Sequence, residues 1–181
     1  MRIRRLNLYS FRMSDPIPRL TTEEDVLPSF LREPTLELSK VIAEEISNSR
    51  FLHGNICSCL HHRKKVVSHC WIAFDEEWIG EIEMLIKPKD REAYLFDAFT
   101  LPEYRGKTLF AIVLCNTLSY LKAKGYHRVL IFALNSNRAS IKAIQKASFR
   151  HFQSVVFLKL FGKGFHFKSK RRPDEAPVCL Q

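Results

Sequence analysis

The segment Leu101-Pro102-Glu103-Tyr104-Arg105-Gly106-Lys107-Thr108-Leu109-Phe110 carries the densest chemistry in the chain. It joins an aromatic-rich strand pattern, residues 92–101, to an apolar helix pattern, residues 108–124. At a helix start several backbone N–H groups have no intrahelical acceptor, and they carry the positive end of the helix dipole. Arg105 and Lys107 add full charges there, and Gly106 lets a ligand come close to the backbone. The combination suits an anion, a pyrophosphate in particular. An ordinary strand-to-helix turn with surface Arg and Lys has the same composition, so the segment alone leaves both readings open.

Nearby carboxylates offer proton chemistry. Asp97 stands alone in an otherwise apolar strand, and burial there would tune it toward general-base work. Its alternative is a structural acid paired with Arg105 or His69. Glu81 and Glu83, on the preceding segment, are further candidate bases, and Tyr94 and Tyr104 are candidate acids. The five cysteines are Cys57, Cys59, Cys70, Cys115 and Cys179. Cys57, Cys59 and His61 would share one strand face, near His62, His69 and Cys70. No C-x-x-C pair accompanies them, so they read as core residues and no metal is expected. Cys115 reads as core as well.

The elements that position these groups are legible from periodicity. A capped helix start is expected at Thr21–Asp25, leading into the apolar run Val26–Leu31. A second helix is expected over residues 34–48, with Leu38, Val41, Ile42 and Ile46 as its apolar stripe. Residues 55–61 and 66–74 flank His62-Arg63-Lys64-Lys65 as a hairpin. The helix at 108–124 is apolar nearly all round and is therefore buried, with Gly125 closing it. Residues 129–134 form a continuously apolar strand, Asn137 caps a last helix, and residues 155–160 form a final strand. The strand–helix–strand unit from 92 to 134 makes its two strands parallel if they share a sheet, whereas the hairpins are antiparallel. The expected fold is α/β (α+β): a mixed, mostly antiparallel sheet with helices on both faces.

Two segments resemble a known family. Thr100-Leu101-Pro102-Glu103-Tyr104-Arg105-Gly106-Lys107, followed by an apolar helix, resembles the acyl-CoA-binding segment of the GNAT superfamily of N-acetyltransferases. Asn135-Ser136-Asn137-Arg138-Ala139-Ser140-Ile141, then Lys146-Ala147-Ser148-Phe149-Arg150, is similar to that superfamily's "N-x-x-A/S … K-x-G-F" helix. The likeness covers roughly residues 35–161. It implies a splay between the two central parallel strands and acetyl-CoA or another acyl-CoA as co-substrate. Backbone amides of Arg105, Gly106, Lys107, Thr108, Leu109 and Phe110 would hold the CoA pyrophosphate. Phe99, Thr100 and Leu101 would pair with the pantetheine arm, and Asn137 would lie near the thioester. An amine would attack the thioester directly, with Asp97, or else Glu81, as base.

The chain departs from the family pattern at Thr108, Phe110 and Ser148, where glycine or a small residue is usual. It also departs at Ile144, where a proton-donating tyrosine is usual. These departures sustain a second reading, a GNAT-fold acyl-CoA-binding or regulatory module without turnover. A third reading is an acyltransferase whose donor is an acyl carrier protein.

The net charge of +10 is concentrated at the ends: residues 1–20 carry +4, residues 162–172 carry +5, and residues 21–161 only +3. Residues 1–20 therefore read as a basic N-terminal segment, 21–161 as a single acyltransferase-like domain and 162–181 as a basic tail. Such ends suit an acyl carrier protein or an anionic membrane surface. A body so weakly charged argues against nucleic acid. A homodimer is a further expectation. No run of about 18 apolar residues spans a bilayer. Arg12 interrupts the apolar stretch near the start, so it does not read as a secretory leader. Cys179-Leu180-Gln181 is one residue short of a prenylation box. With an odd number of cysteines and no leader, the thiols are expected to be reduced and the chain cytoplasmic.

Overall fold

Alternating apolar residues along the middle of the chain build a broad sheet, which the computed structural model describes together with the rest of residues 1–181. In chain order the elements are β1 (Arg2–Arg12), β2 (Leu27–Leu31), α1 (Leu36–Ser39), α2 (Glu44–Leu52), β3 (Ile56–His62) and β4 (Lys65–Ala73). They continue as β5 (Glu77–Ile79), β6 (Met84–Lys87), β7 (Glu92–Thr100), a 3-10 turn (Pro102–Tyr104), α3 (Leu109–Ala123) and β8 (Arg128–Leu134). The last are α4 (Arg138–Lys146), β9 (Arg150–Leu160), β10 (Lys163–Lys168) and β11 (Cys179–Leu180). Eight strands form the main sheet in the order β10-β9-β1-β8-β7-β4-β3-β2, and β11-β6-β5 form a second, small sheet. All pairings are antiparallel except β7 with β8. No helix is long and apolar enough to cross a membrane.

Strand alternation sorts the core into two faces. On one side Cys70 and Ile72 of β4 meet Leu114 and Leu118 of α3 and Ile141 and Ile144 of α4. On the other, Trp71 packs with Leu38 and Ile42 of the α1 region, while Tyr94 and Leu130 pack with Ile79, Ile82 and Ile86 around the small sheet. Helices thus lie on both faces, as the periodicity requires.

The parallel pair positions everything that follows. It begins at Glu92 opposite Arg128 and ends at Leu95 opposite Ile131. At its closed end Arg128 donates to Glu92 at 3.1 Å, and both side chains are buried. Glu175 of the C-terminal segment joins them at 3.2 Å. Beyond Leu95 the strands part, although β7 runs to Thr100 and β8 to Leu134. The cause is a bulge. Trp71 lies opposite Phe96 and His69 opposite Phe99, so β7 spends one residue more than β4 over this step. Asp97 has φ +42° within it. A bulge of this kind bends its strand and raises the local twist. The expected splay between residues 92–101 and 129–134 is therefore present.

Four local expectations differ from the structure. Residues 34–48 are not one helix, because Thr35 caps the four-residue α1 and the chain breaks before α2. The apolar run after Thr21 is not helical. It becomes β2, whose Pro28 is tolerated because β2 is an edge strand, paired only with β3. Residues 1–20, set apart in the sequence reading as a basic segment, contain β1, which lies inside the sheet between β8 and β9. The segment after Gly162 adds β10 to the sheet edge and β11 to β6.

Candidate active site

The turn between β7 and α3 presents a row of free backbone donors. Tyr104 and Arg105 spend their N–H groups on the Leu101 and Pro102 carbonyls, at 2.9 and 3.2 Å. The first helical bond beyond the turn is from Ile112 to Thr108, at 3.2 Å. The N–H groups of Gly106, Lys107, Thr108, Leu109, Phe110 and Ala111 donate to no protein group. Contrary to the expectation from sequence, the Arg105 amide is occupied, and only its side chain remains available. Gly106 has φ +79° with open space around it, so it sustains the turn without crowding an incoming ligand. Thr108 is also left-handed, at φ +68°, a conformation unusual for a β-branched residue. The family pattern has glycine there, and Thr108 occupies glycine's conformation.

Cations rim these donors. Lys146, at the end of α4, donates to Thr108 Oγ1 at 3.0 Å. Lys107 is tied back to Glu24 at 2.6 Å. That contact holds the Glu24 carboxyl below its usual range and the Lys107 ammonium above its own. Arg105 Nε donates to the Thr100 carbonyl at 3.1 Å, with the guanidinium 5.7 Å from the Phe99 ring. Phe99 is exposed at the parted end of β7. Leu101 donates its N–H to Val67 at 3.0 Å, which keeps this end of β7 on β4 rather than β8. Phe110 is partly buried against the core. Asn137 caps α4 by accepting from the Ser140 N–H at 3.1 Å, just past the end of β8.

The candidate acids and bases separate. Asp97 is not buried: its side chain is 51% exposed, because the bulge turns it outward. It pairs at 2.5 Å with Arg50 of α2, not with Arg105 or His69. The Arg50 guanidinium stacks 5.0 Å from Trp71 and 5.1 Å from Phe96. Glu81 is half-buried in the β5–β6 turn and makes no ion pair, whereas Glu83 is held by Lys159 at 2.7 Å. Tyr94 is fully buried between Phe96 and Phe132, and burial pushes its hydroxyl well above the ordinary range. Tyr104 shares a hydrogen bond with His62 Nδ1 at 2.8 Å, away from the parted strands. Ile144 is wholly inside the α3–α4 core. Ser148 takes the left-handed conformation, φ +65°, that explains the usual glycine at its position.

His69 sits opposite Phe99 beside the bulge, 2% exposed, with Nδ1 unpartnered. Burial lowers its pKa to about 4. The thiols of Cys57 and Cys59 lie 3.5 Å apart in the core. The contacts made by Arg50, Glu24 and Lys146 were not legible in the sequence, because each partner is distant along the chain.

The Acetyltransferase (GNAT) family model matches residues 32–149. Among solved structures, a GNAT-family protein from Novosphingobium aromaticivorans is 14% identical with a TM-score of 0.60, over 86% of this chain and 63% of its own. A GCN5-related N-acetyltransferase from Sphaerobacter thermophilus is 11% identical with a TM-score of 0.58, over 94% and 53%. An acetyltransferase from the GNAT family of Colwellia psychrerythraea is 14% identical with a TM-score of 0.56, over 92% and 57%. The chain therefore spans less than two thirds of the length of each of these structures. No individually curated protein matches it in sequence. With strands that part beside a donor-rich helix start, and with the family match over most of its length, the chain belongs to the GNAT acetyltransferase family.

Proposed function

We propose that the protein transfers an acyl group, acetyl in the simplest case, from acyl-CoA to an amine by direct attack on the thioester. One observation carries this reading: six unpaired backbone N–H groups open beside two parallel strands that have stopped pairing. The residues present fit the co-substrate. The amides of residues 106–111 would receive the pyrophosphate, with Lys146, Lys107 and the Arg105 side chain supplying charge. The backbone of β7 at Phe99, Thr100 and Leu101 would align the pantetheine arm in the parted strands, and Asn137 closes the far side of the opening. Bound in this way, acyl-CoA supplies the activated thioester.

The protein's own part is to orient the two reactants and to stabilise the developing oxyanion from the β7 backbone. A protonated amine cannot attack, so a base is needed at the opening. Asp97 is the carboxylate on the bulge itself, steered by Arg50. Glu81 is the second candidate. Thiolate departure needs no dedicated acid, since a thiol pKa of ~8.5 makes it a good leaving group near neutral pH.

A second reading is favoured by Ile144, which is sealed in the core and can donate no proton. It is an acyl-CoA-binding module without turnover. An acyl-CoA and amine screen monitoring CoA release, run beside a thermal-shift titration with acetyl-CoA and free CoA, separates the two. CoA release that requires an amine supports transfer. Binding without thioester consumption across the panel overturns it. Acyl carrier protein in place of CoA is a further arm of the same screen.

A further inference from the structure

One flank of the main sheet is covered on a single face only. Val155 and Phe157 of β9 point into the core and are fully buried. Their neighbours on the same strand, Val156, Leu158 and Leu160, point the other way. Directly opposed residues share a face. Ile3 lies opposite Leu158, Phe165 opposite Leu158, and Phe167 opposite Val156. These six residues therefore form one apolar surface across β1, β9 and β10, and all six are at least partly exposed. Ile3 is 57% exposed, Phe165 46% and Phe167 59%. Scattered exposed apolar residues are ordinary, but a contiguous patch marks an interaction site. At the hairpin tip Phe161 is 95% exposed. Phe161 and Gly162 are both left-handed, φ +48° and +79°, which makes a tight turn with the ring at its apex.

The segments that build this surface carry charge of one sign, and the acid that reaches them, Glu83, is neutralised by Lys159 at 2.7 Å. Residues 1–5 and 156–172 contain no Asp or Glu. Arg2, Arg4, Arg5, Lys163, Lys168, Lys170 and Arg171 take part in no ion pair. A second copy of the chain would bring two such acid-free rims together, which like-charge repulsion opposes. Nucleic acid would match the charge, and the Phe rings could take bases, but the aliphatic Ile3, Val156, Leu158 and Leu160 between them would be left against a polar ligand with no apolar partner. An anionic lipid bilayer matches both features, taking aromatic and aliphatic side chains at its interface and cations at its headgroups.

We infer that the β9–β10 hairpin and the start of β1 dock this protein on an anionic lipid surface. Phe161, Phe165 and Phe167 enter the interface, and the surrounding Arg and Lys residues meet the headgroups. Leu6 lies opposite Leu134 and Arg2 opposite Lys159, so the tip stands at the end of the sheet where β7 and β8 part. Docking brings the open end of the site toward the bilayer. The inference does not depend on turnover.

The test is co-sedimentation of the full chain with phosphatidylcholine vesicles, with and without phosphatidylserine, at low and high salt. Binding is expected only with phosphatidylserine and should weaken with salt. Each cation contributes about fivefold, so Lys163→Glu with Lys168→Glu should weaken partitioning about 25-fold or more. Phe161→Ser with Phe167→Ser should weaken it by about 100-fold or more. Both pairs are exposed, so circular dichroism should be unchanged. In a Phe161→Trp variant, fluorescence should shift to the blue on adding anionic vesicles and not on adding neutral ones. Four outcomes overturn the inference: no partitioning at low salt, equal partitioning on neutral vesicles, equal partitioning of the variants, or an unshifted tryptophan. So does a result in which the same variants weaken binding to an RNA homopolymer, or self-association in ultracentrifugation, while vesicles capture nothing.

Discussion

Replacing Asp97 with Asn separates a base from a structural acid. Asp97 lies at φ +42°, a region where Asn is tolerated nearly as well as Asp. The substitution therefore leaves the bulge intact, whereas Ala would add ~1 kcal/mol or more of backbone strain. What Asn removes is the charge facing Arg50. The Asp97 side chain is half-exposed, so solvent screens the pair, and its loss should cost ~0.5–1 kcal/mol. Arg50 keeps its contacts with Trp71 and Phe96, and Asn can still accept its hydrogen bond. For a chain of this length Tm should fall by only about 1–4 °C. If Asp97 accepts the amine proton, kcat with a verified acceptor should fall about 100-fold or more. The Kd for CoA should hardly move, since the amide row lies in a different turn. The defect should shrink as pH approaches the amine's own pKa, where free amine becomes plentiful. The assay is CoA thiol release at saturating acyl-CoA across pH, beside CoA titration and thermal unfolding. Unchanged kcat at every pH would refute the reasoning, as would a stability loss beyond ~3 kcal/mol, which would mark Asp97 as structural.

Three further outcomes are expected. Arg105→Glu should weaken CoA binding by ~1–3 kcal/mol at low salt, read by calorimetry, with little change for a truncated pantetheine donor. His69 has a folded-state pKa of about 4 against an ordinary 6.5, so below 6.5 the unfolded chain takes a proton that the folded one refuses. Stability is full above that value and declines as pH falls toward 4. Urea unfolding should show a loss of about 2 kcal/mol between pH ~7.5 and pH ~5, and His69→Asn should flatten that slope. Ile144→Tyr adds a ring and a hydroxyl to a fully buried position, so it should cost ~1–3 kcal/mol in thermal or urea unfolding and should not raise turnover.

Local signals in the sequence were enough for the strand–turn–helix unit around Arg105-Gly106-Lys107. Apolar periodicity marks the strands and α3, Asn137 caps α4, and Gly106 marks the turn between β7 and α3; each is written within a few residues. The hairpin of β3 and β4 and the buried helix followed from the same patterns. The sequence also identified Thr108 and Ser148 as departures from glycine. Only the structure assigns them the left-handed backbone that makes those departures matter.

Other features were decided by pairing between distant segments. Residues 2–12 belong by charge to a basic terminal segment, yet they become a strand inside the sheet because their backbone pairs with β8 along one edge and with β9 along the other. Residues 27–31 follow β3's edge rather than the helix start before them, since backbone pairing outweighs a weak local propensity. Asp97 illustrates the limit most directly. One apolar-strand pattern implied burial, but a single extra residue relative to β4 breaks the alternation, turns the carboxylate out to Arg50 and parts β7 from β8. Register is a property of two strands together, so neither strand's sequence alone contains it.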